Sequence, residues 1–169
     1  MSPGAGRSAV YLGLGSNLDD PPRQLRRAIL AISRQFGALR VGPLFRTEPD
    51  SGIHQPDFLN TVIEMRSSLP PLGLLAWTQQ LEARAGRTRG SINGPRPLDV
   101  DLLLIGDQRL ETKTLTLPHP RISQRAFVLC PLAALAPDFF LADSGASAKE
   151  VLGNLQSTLR VTRIPWSRA

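Results

Sequence analysis

Cysteine, histidine and lysine are scarce in this chain, and each shortage closes off a class of chemistry. Cys130 is its one cysteine, so no internal disulfide and no cysteine-rich metal site can form. It lies among Val128, Leu129 and Leu132, which reads as a small buried hydrophobe. With lysine only at Lys113 and Lys149, there is no Gly-Lys-Ser/Thr of a phosphate-binding loop. The Gly13-Leu14-Gly15-Ser16-Asn17 stretch lacks the third glycine of a dinucleotide fingerprint and reads as a tight turn. No apolar run approaches the roughly 20 residues of a membrane span. The longest, residues 126–136, is interrupted by Pro131. Residues 1–8 are small and polar, without the apolar core of a signal peptide. A cytoplasmic chain is expected, with residues 1–7 as a flexible N-terminus and residues 8–166 as one domain.

What is present fits that size class. A chain of 169 residues, 41% hydrophobic and 20% charged, has the composition of a single globular domain with one core. The net charge of +6 comes from 20 basic against 14 acidic residues, and nearly all the basic ones are arginine. That balance favours an anionic partner, a nucleotide or a nucleic acid. The planar fork of arginine suits phosphate in particular.

Residues 10–14 form a short apolar run, and Asp20-Pro21-Pro22 then supplies a helix cap and a preset first turn. Leu25, Ala28, Ile29, Ile32 and Phe36 recur at helical spacing before Gly37. A strand is expected over 39–45 and a loop over 48–57. In the next strand Leu59, Thr61, Ile63 and Met65 share one face, while Phe58, Asn60, Val62 and Glu64 share the other. Pro70-Pro71 opens a second helix with an apolar stripe of Leu74, Leu75, Leu81 and Ala85, and Gly86 stops it. Residues 87–97 read as an exposed loop, 98–105 as a strand, and Gly106-Asp107 as a hairpin turn into a short polar strand. A strand over 114–117, helices over 121–135 and 149–155, and a last strand over 159–164 complete the reading. This order predicts an α+β sandwich, a ferredoxin-like fold with helices covering a mostly antiparallel sheet.

The sharpest chemical feature is Gly94-Pro95-Arg96-Pro97-Leu98-Asp99-Val100-Asp101. Two carboxylates two apart on a strand point to one face, with Val100, Leu102 and Leu104 directed into a core. Like charges so placed are destabilising unless something compensates. A divalent cation would do so, and oxygen donors without nearby His or Cys suit magnesium, which takes its other ligands from phosphates. Pairing with neighbouring arginines is the alternative. Arg87, Arg89 and Arg96 arrive just before the pair, the grouping that a triphosphate needs. His119 stands between Pro118 and Pro120, with Arg125 six residues on. A nucleic-acid-binding fold, suggested by the pI of about 10.9, is the rival reading.

The chain resembles the 6-hydroxymethyl-7,8-dihydropterin pyrophosphokinases of folate synthesis nearly end to end. The likeness rests on Leu14-Gly15-Ser16-Asn17-Leu18, Phe45-Arg46-Thr47, Gln55-Pro56-Asp57-Phe58-Leu59-Asn60 and the Gly-Pro-Arg-x-Leu-Asp-x-Asp element. Leu115-Thr116-Leu117-Pro118-His119 and Arg125-Ala126-Phe127 complete it. It implies transfer of the pyrophosphoryl group of ATP to the pterin's hydroxymethyl group, releasing AMP. Asp99 and Asp101 would bind two Mg2+ ions, and Arg87 and Arg89 would act with them in catalysis from a mobile loop. Gln79, Glu82, Arg87, Arg89, Arg96, Leu102, Thr116, His119 and Arg125 would surround ATP. Thr47, Phe58, Asn60 and Phe127 would hold the pterin. A monomer acting on these small molecules, without nucleic acid or membrane, is expected. The chain departs from the best-known bacterial pattern at Asn93, where a tryptophan is usual, at Glu48, Thr114 and Pro120, and in a loop one residue shorter.

Overall fold

The Asp20 carboxylate accepts the backbone N–H of Arg23 at 3.3 Å, and Pro21 and Pro22 occupy the first helical turn. The Asp-Pro-Pro signal therefore starts a helix as expected. The computed structural model describes residues 6–88 and 93–168. Along the chain, β1 (Ser8–Ser16) leads to α1 (Pro21–Phe36), β2 (Arg40–Val41), β3 (Leu44–Thr47), β4 (Phe58–Ser67) and α2 (Pro71–Arg84). Next come β5 (Asp99–Ile105), β6 (Leu110–Glu111), β7 (Thr116–Leu117) and α3 (Ala126–Leu135). A hairpin of β8 (Phe140–Leu141) and β9 (Ala146–Ser147), α4 (Ala148–Asn154) and β10 (Val161–Ile164) follow.

The main sheet runs β10-β3-β4-β1-β5, with β2 also on β4, and every pairing is antiparallel. The result is a mixed α/β architecture in which helices cover both faces of the sheet. Leu25 and Ile32 of α1 and Leu74 of α2 pack on Val10, Leu12, Leu59 and Ile63. On the opposite face Leu129 and Leu132 of α3 and Ala148 of α4 pack on Tyr11, Val62 and Leu103. Complete burial of a leucine or isoleucine side chain contributes about 1.5–3 kcal/mol. This holds β1 and β4, covered on both faces, at the centre.

Four local expectations are corrected. Residues 13–16 do not turn: they continue β1, paired with β4 and β5. The single strand over 39–45 is broken at Gly42-Pro43, because proline cannot donate to the ladder. A Cβ on Gly42 would also stand 2.9 Å from the Val62 carbonyl oxygen. In β5, Leu12 pairs with Leu102 and Tyr11 with Leu104, so Leu103 is an extra, bulged residue. Leu104 therefore joins Leu103 in the core under α3, not Val100 and Leu102 beneath α1 and α2. The helix expected from residue 121 begins at Ala126, after a short 3-10 turn over Ile122–Gln124.

Cys130 is half-buried, and burial raises its thiol pKa. Residues 1–5 of the expected flexible segment lie outside the described residues. Arg7 donates to the carbonyls of Phe36 and Arg66. Among the described residues no helix is long and apolar enough to cross a membrane.

Candidate active site

Side chains alternate along β1, so Gly13 and Gly15 fall on the α3 side of the sheet in line with Tyr11. The strand register sets Asn60 and Asp99 on either side of Gly15, and Val62 and Asp101 on either side of Gly13. The glycines leave the middle of this floor without side chains. A cavity of about 660 Å³ opens here, lined by Thr47, Phe58, Asn60, Arg87, Arg96, Asp99, Asp101, His119, Arg125 and Phe127 among others. That is the size of a small-molecule site.

Asp99 and Asp101 do share one face of β5, and the compensating arginines are present. Asp99 Oδ1 meets Arg87 Nη1 at 2.5 Å and Asp99 Oδ2 meets Arg96 Nη2 at 2.9 Å. Asp101 Oδ2 meets Arg125 Nη1 at 3.3 Å. Burial, and then the neighbouring Asp99, push the Asp101 carboxyl up to about 6 despite Arg125, Arg96 and Arg87. Behind them Glu82 accepts the backbone N–H of Val100 at 2.7 Å and pairs with Arg87. Burial raises its pKa to about 7. Burial pulls Arg87 down, but Asp99 and Glu82 outweigh it and hold the guanidinium above its usual value.

Two arginines bridge acid and aromatic in the same way. The Arg96 guanidinium lies 5.1 Å from the centre of the Phe58 ring, and that of Arg125 lies 5.4 Å from Phe127. Nε of Arg96 and Nε of Arg125 are buried without a partner among the described residues, and unpaired buried donors call for an acceptor-rich ligand. Burial, and then Arg125 and Arg121, lower the pKa of His119. Its Nδ1 accepts the N–H of Arg121 at 3.1 Å, an arrangement that, like the lowered pKa, favours the neutral ring with its proton on Nε2. On the aromatic side Asn60 Nδ2 donates to Thr47 Oγ1 at 2.6 Å.

A model of the family described as 7,8-dihydro-6-hydroxymethylpterin-pyrophosphokinase (HPPK) matches residues 11–137. The chain belongs to this family. It is 43% identical over 136 residues to the 2-amino-4-hydroxy-6-hydroxymethyldihydropteridine pyrophosphokinase of Pseudomonas aeruginosa, a match covering 79% of this chain and 84% of that one. With the enzyme of the same name from Bacillus subtilis the identity is 42% over 129 residues, 75% of this chain and 77% of that one. Among solved structures, Plasmodium falciparum HPPK-DHPS aligns with a TM-score of 0.69 at 11% identity, covering 94% of this chain. This chain spans 50% of that longer one, and at such low identity the likeness speaks for the fold alone.

Of the positions expected to serve this pyrophosphokinase, the ten named above line one cavity. Gln79 is exposed on α2, Glu82 lies behind Asp99, and Thr116 is half-buried in β7. Leu102 is in the core, 4% exposed. None of these four lines the cavity, and Arg89 lies outside the described residues. The cavity also includes Asp50, Ser51, Gln55, Thr88 and Arg121, to which the sequence reading gave no role. It likewise gave none to Asn17, which is buried and bonded to Gln55, Pro56 and Arg96. The Gln55-Pro56-Asp57 motif was the one sequence signal for Gln55. The Leu14-Gly15-Ser16-Asn17-Leu18 motif was likewise the one signal for Asn17, whose partners are 38 to 79 residues away.

Proposed function

We infer that this chain transfers the pyrophosphoryl group of ATP to the hydroxymethyl group of 6-hydroxymethyl-7,8-dihydropterin, yielding AMP and the pterin diphosphate for folate synthesis. The observation that carries this reading is the pairing of Asp99 and Asp101 with Arg87, Arg96 and Arg125 beside two phenylalanines in one cavity. In this reaction the hydroxymethyl oxygen forms a bond to the β-phosphorus of ATP. The bond from that phosphorus to the oxygen bridging the α-phosphate breaks, and AMP departs. Such transfers need little beyond alignment and stabilisation of charge.

Phe58 and Phe127 hold the flat pterin, and Asn60 and Thr47 bond its edge. Arg87, Arg96, Arg125 and the neutral His119 receive the triphosphate, and the orphaned Nε donors of Arg96 and Arg125 support that assignment. Asp99 and Asp101 hold two magnesium ions. The donor set fits, because among the described residues no third His, Cys, Asp or Glu completes an all-protein cage, and magnesium characteristically takes phosphate oxygens instead. Bound there, the ions neutralise charge on the triphosphate.

Residues 8–166 work as one ferredoxin-like domain. The β1-α1-β3-β4-α2-β5 order, and a sheet that β10 completes by pairing with β3, support this. The domain acts as a cytoplasmic monomer, a reading supported by a cavity that one chain builds alone. The test is incubation with ATP, magnesium and the hydroxymethyl pterin. Pterin-dependent AMP release is expected, and ADP release or no pterin-dependent turnover overturns the reading.

A further inference from the structure

Asn17 directly follows β1 and is 3% exposed, yet every polar atom of its side chain is engaged. Its Oδ1 accepts the backbone N–H of Arg96 at 2.8 Å. Its Nδ2 donates to Gln55 Oε1 at 3.0 Å and to the Pro56 carbonyl at 2.9 Å. Its own backbone N–H donates to the Arg96 carbonyl at 3.1 Å. Gln55 continues the chain, its Nε2 donating to the Asn93 carbonyl and to Ser51 Oγ, each at 2.9 Å. One acceptor and two donors in a single plane are what a primary amide provides, and neither a carboxylate nor a hydroxyl can replace it.

The two ends of this network belong to the two halves of the cavity. Arg96 carries the guanidinium that holds Asp99, and Pro56 lies two residues before Phe58, whose ring that guanidinium covers. We propose that Asn17 is a positioning residue that fixes the Arg96 guanidinium relative to the Phe58 ring, and so sets the nucleotide against the pterin. The proposal rests on the pyrophosphokinase reading of the cavity. Asn17 touches neither reacting atom. Its loss leaves each half of the cavity with its own residues but misaligned, and an ångström of misplacement costs about 100-fold in rate.

Three variants test this. Asn17→Ala removes the whole junction. Asn17→Asp keeps the acceptor for Arg96 but deletes both donors, and Gln55→Leu removes the Gln55 bonds to Asn17, Asn93 and Ser51 while leaving Asn17 its bonds to Arg96 and Pro56. The expected result is a fall in kcat of about tenfold or more for the Asn17 variants. The dissociation constants of an inert ATP analogue and of the pterin, each measured alone, should stay within about threefold of wild type. A kcat within about threefold of wild type, or a loss confined to the affinity for one substrate, overturns the proposal. Amide hydrogen exchange supplies a readout independent of turnover. Gln55→Leu, which does not touch Arg96, should speed exchange of the Arg96 amide by about threefold or more. Unchanged exchange there overturns the proposal even if activity falls. If Asn17→Ala does not fold, Asn17→Asp and Gln55→Leu carry the same test. Wild-type protein without pterin-dependent AMP release would refute the proposed activity, while the exchange measurement still decides the role of Asn17.

Discussion

Arg125 reaches Asp101 at 3.3 Å while its guanidinium lies 5.4 Å from the centre of the Phe127 ring. One side chain thus joins an acid of the proposed phosphate side to an aromatic of the proposed pterin side. Arg125→Lys retains the charge but not the planar fork, the ring contact or the buried Nε donor. A fall in kcat/KM of about 10- to 100-fold is expected in AMP-release assays, with the urea midpoint little changed.

Asp99→Asn and Asp101→Asn each keep the shape of the side chain and remove the charge a divalent cation requires. AMP release should drop by about 1,000-fold or more in either variant. Chelation of magnesium should abolish turnover of the wild type, and a magnesium-independent rate would contradict the assignment of these carboxylates.

A Cβ on Gly15 would stand 2.7 Å from Asn60 Oδ1. Gly15→Ala therefore forces Asn60 away from Thr47, at a cost of about 1–3 kcal/mol in urea unfolding. KM for the pterin should rise more than KM for ATP. Adding Asn60→Ser, which shortens the clashing side chain, should restore stability without restoring pterin affinity.

Burial holds the Glu82 carboxyl at about 7 against an ordinary 4.5. Between those values the folded chain keeps a proton that the unfolded chain has released, so this contribution to stability is full at low pH and lost as pH rises. Asp101, raised to about 6, acts with the same sign. Glu82→Gln has no such proton to lose. The stability of wild type relative to Glu82→Gln should therefore decline from about pH 5 to about pH 8 in urea titrations, and a growing advantage would contradict the raised pKa.

Much of the cavity was legible from local stereochemistry. Asp99 and Asp101 had to share a face once β5 was a strand, because alternation along a strand needs no knowledge of its neighbours. For the same reason the faces of β4 and the Asp20 cap of α1 were readable. The turn assigned to residues 13–17 failed over 13–16, which continue β1, because the glycine signal is ambiguous. Gly15 serves the close approach of Asn60 rather than a change of direction, and that approach exists only when β4 lies alongside β1.

Sequence by itself determined α1 and α2, the common face of the two acids, the surplus of arginine around them and the motifs by which the family is recognised. All of these are properties of neighbours in the chain or of composition. Only the tertiary structure decided that Arg87 and Arg96 take Asp99 while Arg125 takes Asp101, that Leu103 bulges, and that Asn17 joins segments as far as 79 residues away. Those outcomes depend on strand order and register, and on how deeply each charge is buried once the sheet has closed between its helices.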